Sequence, residues 1–186
     1  MKQDTLSETD WLDLALVELR SHGYGALKAQ RLAKKLAVTR GSFYYHFENL
    51  NEFHTAVVAH WAKRTSTPLI KNLSSRAAPA EALNDLLLQT LRSGEHLERA
   101  MRSWATVHRH VAAEVDKVDA VRVAFAKDLL LQCGVPAVDA AARARLLYWA
   151  AIGRLMMPFP EECRLSDAEI AGISTLVMSP LPTETP

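Results

Sequence analysis

The fold of the N-terminal part of this chain is decided by residues 27–47, LKAQRLAKKLAVTRGSFYYHF. The first half of this stretch predicts a short helix over 28–36, because apolar residues recur at the spacing of one helix face. A tight turn follows at 37–38, and Thr39 is a good N-cap for a further helix over 40–46. Two short helices joined in this way predict a helix-turn-helix, whose second helix enters the major groove of DNA. The apolar positions of the first helix are Ala29, Leu32, Ala33 and Leu36.

The residue types of the second helix suit contact with DNA. Arg40 lies in its first turn, where a guanidinium can form two hydrogen bonds with guanine. Gly41 lets another backbone approach closely, at a cost of about 1 kcal/mol relative to alanine. Phe43 and Phe47 are four residues apart, so they share the inner face and anchor the helix. Further candidates for phosphate and base contacts are Lys28, Gln30, Thr39, Ser42, Tyr44, Tyr45 and His46.

Charge is distributed unevenly along the chain. The net charge is +1, but the segment Ser21–Phe47 contains five basic residues and no acidic one. This block predicts a surface that binds a polyanion, although a solvated helix face has the same composition. The five residues are Lys28, Arg31, Lys34, Lys35 and Arg40.

Composition excludes several classes of protein. The 186-residue chain is 49% hydrophobic and 23% charged, which excludes a wholly disordered chain. Its longest uncharged apolar run, Leu146–Gly153, is shorter than the roughly 20 residues of a membrane-spanning helix. Acidic residues precede any long apolar run, so we expect no signal peptide. Cys133 and Cys163 form no CxxC motif, and we expect a cytoplasmic location.

Helical periodicity continues through the rest of the chain and predicts an all-α protein of about nine helices. The first helix begins near Ser7, with Ser7 or Thr9 as N-cap, and ends at Gly23–Gly25. The fourth begins near Asn49. Whether it continues past Pro68 stays open, because proline within a helix can either kink or end it. The later helices are predicted over 80–93, 96–112, 115–133, 137–157 and 166–178.

The helix-turn-helix, with the short stretch before it, resembles the TetR/AcrR family of bacterial transcriptional regulators. The matching positions are Gly23–Leu27, Leu32–Ala33 and Leu36–Phe47. The resemblance implies a homodimer on a palindromic operator, most simply a repressor released by a small apolar or aromatic ligand. A DNA-binding regulator with no small-molecule effector is the alternative. We therefore predict a helix-turn-helix DNA-binding domain (1–48), a helical effector-binding and dimerisation domain (49–178) and a disordered tail (179–186).

The resemblance also assigns DNA contacts position by position. Three departures from the family pattern are expected to weaken the grip on the DNA backbone. Leu50 stands where many members have lysine, Ala37 where glycine is common, and Leu27 where many have a capping threonine. The assigned contacts are Ala29, Gln30, Thr39, Arg40, Gly41, Ser42, Tyr44, Tyr45 and His46.

The predicted helix over 137–157 is apolar on two sides, so it must be buried on two sides. One stripe contains Ala140, Ala144, Leu147, Tyr148, Ala151 and Leu155. The central helix of a monomeric core would show the same pattern, but the resemblance favours a dimer interface. The predicted interface residues are Leu146, Trp149, Ala150, Gly153 and Met157, with Ile170, Ile173 and Val177 from the last helix.

Met101, Trp104 and His108 are spaced i, i+3 and i+7, which is typical of plain core and also of a pocket wall for an apolar ligand. Further lining candidates are Trp61, Leu91, Phe125 and Leu129. His108 and His110 face apart on a helix, so we expect no metal site, and we expect no cofactor. The sequence contains no HExxH, P-loop or nucleophile-elbow motif, so we do not expect an enzyme.

Overall fold

The computed structural model describes residues 6–92, 96–157 and 164–180. Within these ranges the chain forms nine α-helices, one short 3-10 turn (Tyr24–Ala26) and no strand, which confirms the predicted fold class. None of the described helices has the length and apolar character needed to cross a membrane. The helices are α1 (Glu8–His22), α2 (Ala29–Lys35), α3 (Arg40–His46), α4 (Leu50–Ser74), α5 (Pro79–Arg92), α6 (His96–Val107), α7 (Arg109–Gln132), α8 (Ala137–Met156) and α9 (Asp167–Met178).

Some predicted boundaries fall outside the described residues. The end of the helix predicted over 80–93 is one of them, because residue 93 is not described. The predicted disordered tail, 179–186, also lies outside them beyond residue 180.

The chain divides into two compact units that do not follow chain order. Unit 1 comprises Met1–Thr65 and Glu95–Val118, and unit 2 comprises Ser66–Gly94 and Asp119–Pro186. Both α4 and α7 therefore contribute residues to both units. This structural division differs from the predicted functional division at residue 48.

The core of unit 1 is built on aromatic side chains that hold α3 from inside. Phe43 is fully buried, and its ring centroid lies 5.5 Å from that of Trp11 and 5.1 Å from that of Phe53. Both contacts are edge-to-face, the favourable arrangement for aromatic pairs. Phe47 is buried beside them, as the sequence predicted. These contacts fix which face of α3 is left exposed.

The core of unit 2 packs α5, α8 and α9 together. Ala140 and Ala144 on α8 are fully buried, and Leu147 is nearly so. Ile170 and Val177 on α9 are buried in the same cluster. Both residues were predicted to lie on a dimer surface, but their side chains are already covered within their own unit, which leaves them little surface for a partner.

Helix α4 continues past Pro68, which settles the question left open by the sequence. Proline removes one backbone donor from a helix and crowds the residue four positions earlier, here Arg64. Both Arg64 and Pro68 are exposed. Water can therefore reach the carbonyl group that proline leaves without its helical partner.

The boundary between α6 and α7 differs from the prediction. The sequence predicts helices over 96–112 and 115–133, whereas α6 ends at Val107 and α7 begins at Arg109. His108 is the single non-helical residue between them, and its carbonyl accepts the backbone N–H of Ala112 at 2.9 Å. No glycine or proline marks this break, so helical periodicity could not reveal it.

Candidate nucleic-acid interface

The turn between α2 and α3 is closed by two backbone hydrogen bonds. Val38 N–H donates to the carbonyl of Ala33 at 3.0 Å, and Ala37 N–H donates to that of Lys34 at 3.3 Å. This pair of bonds is a Schellman motif, which needs a left-handed residue after the helix. Ala37 adopts that conformation with φ of 55°, where glycine would be less strained. The turn thus keeps its geometry without the glycine common in the family.

Helix α3 presents an exposed outer face. Tyr45 is 83% exposed and Tyr44 is 47% exposed, whereas Phe43, which precedes them in α3, is fully buried. Thr39 occupies the predicted N-cap position, but its side chain makes no capping hydrogen bond. A Cβ atom at Gly41 would lie 3.6 Å from Oγ1 of Thr39, an ordinary contact. Packing within the chain therefore does not require glycine at this position.

The side chain of Arg40 is held on this outer face by Tyr44. Nη2 of Arg40 donates to the Tyr44 hydroxyl at 2.9 Å, and the guanidinium carbon lies 5.4 Å from the ring centroid. The two residues are one helical turn apart, so α3 itself provides this arrangement. The guanidinium is thus oriented before any partner binds.

The cations of the basic block are not all free to bind a polyanion, because Glu18 on α1 forms ion pairs with Arg31 and Lys35. Glu18 is only 2% exposed, and its Oε1 accepts a hydrogen bond from Lys35 at 2.5 Å. Its Oε2 lies 3.4 Å from Nη2 of Arg31. The hydrogen bond from Lys35 holds the pKa of Glu18 below its usual value, despite burial. Glu18 was not among the predicted site residues, and its position beside the buried Leu19 was the available signal.

The N-terminus of α4 is capped by its own residues. Oδ1 of Asn49 accepts the backbone N–H of Glu52 at 2.9 Å, and the Glu52 carboxylate accepts that of Glu48 at 2.6 Å. Leu50 is 43% exposed in the same turn. The two carboxylates at the start of α4 repel an anion such as a phosphate, and Leu50 offers it no hydrogen bond. The weaker grip on the DNA backbone stays a prediction.

The described residues place the predicted DNA contacts on α2, α3 and the turn between them, in unit 1. Residues 12–53 match the model of the family described as "Bacterial regulatory proteins, tetR family". This match identifies residues 12–53 as a tetR-type regulatory domain.

Solved structures extend the likeness from this domain to the whole helical fold of the chain. A transcriptional regulator from Rhodococcus sp. Rha1 is 18% identical, with a TM-score of 0.71, over 93% of this chain and 96% of that one. The reduced form of NemR from E. coli is 17% identical, with a TM-score of 0.73, over 94% and 95%. FadR from Bacillus subtilis, solved in complex with stearoyl-CoA, is 13% identical, with a TM-score of 0.71, over 93% and 98%. None of the curated proteins gives a significant match.

A cluster of histidines lies within unit 1. His54 on α4 is 8% exposed, and its ring centroid lies 4.8 Å from Trp104 and 6.1 Å from His108. Nε2 of His110 lies 2.7 Å from the hydroxyl of Thr55. Burial, followed by the nearby His108 and His110, lowers the pKa of His54 to about 4. Among the described residues, no group of three or more His, Cys, Asp or Glu side chains is arranged to hold a metal ion.

The low pKa of His54 predicts that the protein loses stability in mild acid. The unfolded chain binds a proton at His54 near pH 6.5, whereas the folded chain does so only near pH 4. This contribution to stability is therefore complete above pH 6.5 and disappears as pH falls towards 4. At about 1.4 kcal/mol per pKa unit between 6.5 and about 4, we expect His54 to account for about 3 kcal/mol of the loss by pH 4.

Urea denaturation of the wild type and of His54→Phe at several pH values between 7 and 4 measures this contribution. The variant should lose less stability than the wild type over that interval. Other groups, including the carboxylates, titrate alike in both proteins. If the free energy of unfolding fell equally with pH in the two proteins, His54 would not be the cause of the loss.

The predicted pocket residues are divided between the two units. Trp61, Met101 and Trp104 are buried in the core of unit 1, and His108 lies at the break after α6 rather than on that helix. In unit 2, Leu91 packs with Leu83 and Leu87, whereas Leu129 and Phe125 pack with Leu73 and Ala82. The structure therefore does not gather these seven residues into one cluster.

The predicted dimer residues of α8 form an exposed stripe, which we call the α8 stripe. Its members are Leu146, Trp149, Ala150, Gly153 and Met157, which follows the last residue of the helix. Trp149 is 66% exposed and Leu146 is 60% exposed. On α9, Ile173 is half-buried against the core with Ile170 and Val177, and Leu176 is 71% exposed. Leu176 was not among the predicted interface residues.

Proposed function

We propose that this TetR-family regulator is a repressor that binds a palindromic operator as a homodimer. The exposed outer face of α3 carries the proposal, because it combines an oriented guanidinium on Arg40 with exposed donors on Tyr44 and Tyr45. Arginine can recognise guanine through two hydrogen bonds in the major groove. Lys28 and Gln30 at the start of α2 are also exposed. In this proposal they contact the DNA next to the base pairs that α3 reads.

The α8 stripe supports the homodimer. Isolated apolar side chains are common on protein surfaces, but a row along one helix marks an interaction site. A two-fold dimer matches a palindrome, with half-sites about 34–36 Å apart or a multiple of that distance. The exposed Leu176 on α9 adds to this surface in the proposal.

An effector is the second part of the proposal. FadR from Bacillus subtilis shares the fold and is described in complex with stearoyl-CoA. We propose that a small apolar or aromatic ligand releases this regulator from DNA. Regulation without an effector is the competing candidate, and it is favoured by the packing of the predicted pocket residues in separate cores. A ligand that binds tightly and leaves operator affinity unchanged would support the second candidate.

Selection on randomised duplex DNA tests the proposed function. The ligand-free full chain is used at about 0.15 M salt, where weak non-specific binding is suppressed. Enrichment of a palindrome with the stated half-site spacing is the expected result. Enrichment of a single half-site would contradict the dimer, and enrichment of no sequence would contradict a repressor that binds DNA without a ligand.

Replacing Trp149 with glutamate should break the dimer. The change places a charge at the centre of the α8 stripe and removes a large aromatic side chain. Central tryptophans commonly contribute about 2 kcal/mol or more to an interface, so the dimer dissociation constant should rise at least about 30-fold. Analytical ultracentrifugation measures this constant.

Val138→Glu is the matched control for this experiment. Val138 also lies on α8 and is 84% exposed, but it is outside the stripe. This variant should dimerise like the wild type. Equal dimerisation of all three proteins would exclude the α8 stripe as the interface.

A further inference from the structure

Glu18 is the buried carboxylate through which α1 meets α2. Its side chain is 3% exposed, and Lys35, Arg31 and His22 surround it at 2.5, 3.4 and 3.5 Å. A buried carboxylate without such partners would be strongly disfavoured. Lys35 and Arg31 therefore meet an electrostatic need inside the protein before any DNA is present.

Helix α2 carries its exposed polar residues on two different sides. Arg31 and Lys35 are four residues apart and share the side that reaches Glu18. Gln30 and Lys34 are also four residues apart and share another side. Lys34 is exposed and forms no ion pair within the described part of the chain. The two sides therefore differ in the charge that they can offer to a phosphate.

We propose that Glu18 is a positioning residue for DNA binding, because it withdraws Arg31 and Lys35 from the phosphate backbone. Lys28, Lys34 and Arg40 are then the cations of the α2–α3 motif that face DNA. This inference rests on the proposed function. Lys34 is thereby added to the predicted contacts Lys28 and Arg40, whereas Arg31 and Lys35 of the basic block are excluded as phosphate contacts.

Withdrawal of two cations has a direct consequence for specificity. Sequence-independent affinity grows with the number of phosphates that a protein neutralises, whereas base contacts provide discrimination. Holding back two cations lowers binding to random DNA and leaves the Arg40 guanidinium in place. Glu18 thereby raises the ratio of operator binding to random-sequence binding.

The salt dependence of binding to a random-sequence duplex tests the proposal. Fluorescence anisotropy of the full chain between about 50 and 200 mM salt yields the slope of log affinity against log salt, which changes by about 0.9 per phosphate contact. Lys34→Gln should make this slope shallower by about 0.9. Arg31→Gln and Lys35→Gln, which replace side chains already paired with Glu18, should leave it unchanged.

Glu18→Gln provides the reciprocal measurement. Neutralising the carboxylate releases Arg31 and Lys35, so the slope should steepen by up to about 1.8 and binding to random DNA should tighten. A purely structural salt bridge predicts no steeper slope. The ratio of operator to random-sequence affinity should fall in this variant, and circular dichroism confirms that it is folded.

Three outcomes separate the possibilities. A slope for Arg31→Gln as shallow as that for Lys34→Gln would overturn the proposal, because Arg31 would then contact phosphate. If Glu18→Gln does not fold, the comparison of Arg31→Gln with Lys34→Gln still decides, since both replaced side chains are exposed. A wild-type protein without salt-dependent binding to any duplex would instead contradict the proposed function.

Discussion

Replacing Phe43 with alanine should lower the free energy of unfolding by about 3–5 kcal/mol. Phe43 is fully buried and lies within 5.5 Å, centroid to centroid, of Trp11, Phe47 and Phe53. Its removal leaves a cavity and takes away the anchor of α3. Since a whole domain is stable by only about 5–15 kcal/mol, this loss is a large fraction of the total.

Urea denaturation followed by tryptophan fluorescence measures the effect of Phe43→Ala, because Trp11 belongs to the same cluster. Tyr45→Ala is the matched control from the opposite face of α3. Tyr45 is 83% exposed, so this change should alter stability by no more than about 0.5 kcal/mol. A loss below about 1 kcal/mol for Phe43→Ala would show that the cluster does not anchor the helix.

Arg40→Ala should weaken operator binding by about 1–3 kcal/mol, which is about 5- to 150-fold. The loss should fall on the specific complex and relax the base preference at one base pair of each half-site. The fold should be unaffected, because Tyr44, the partner of Arg40, is exposed. Titration of the selected operator and of a scrambled duplex measures both effects.

Lys28→Ala separates phosphate contact from base recognition. It should weaken binding to operator and scrambled DNA alike and lower the salt slope by about one unit. Arg40→Ala should instead narrow the difference in affinity between the operator and the scrambled duplex. If the two variants changed both duplexes in the same proportion, the assigned roles of Arg40 and Lys28 would be wrong.

Elements governed by neighbouring residues were predicted closely. Ser7 caps α1 through a reciprocal pair of hydrogen bonds with Asp10, and Gly23 ends it with φ of 70°. Helix α3 spans Arg40–His46, the range given by the sequence. Each of these features depends on contacts within about four residues, and such contacts are visible in a short window of sequence.

Features that depend on distant residues were not predicted. The partnership of Glu18 with Lys35 joins positions 17 residues apart on different helices. The break at His108 coincides with ring contacts from Tyr24 on the 3-10 turn and from Trp104. Ile170 carries an interface pattern in sequence but lies in the core. Periodicity identifies an apolar face without naming the element that covers it.

The amino-acid sequence and the tertiary structure determine different features of the helix-turn-helix. The amino-acid order alone determines that α2 and α3 form, where the chain turns between them, and that Tyr45 lies opposite Phe43 on α3. Caps, turns and helical spacing are local interactions, so they need no tertiary partner. Packing of α1 against α2 determines which cations remain available to DNA, because only the fold brings the Glu18 carboxylate to Arg31 and Lys35.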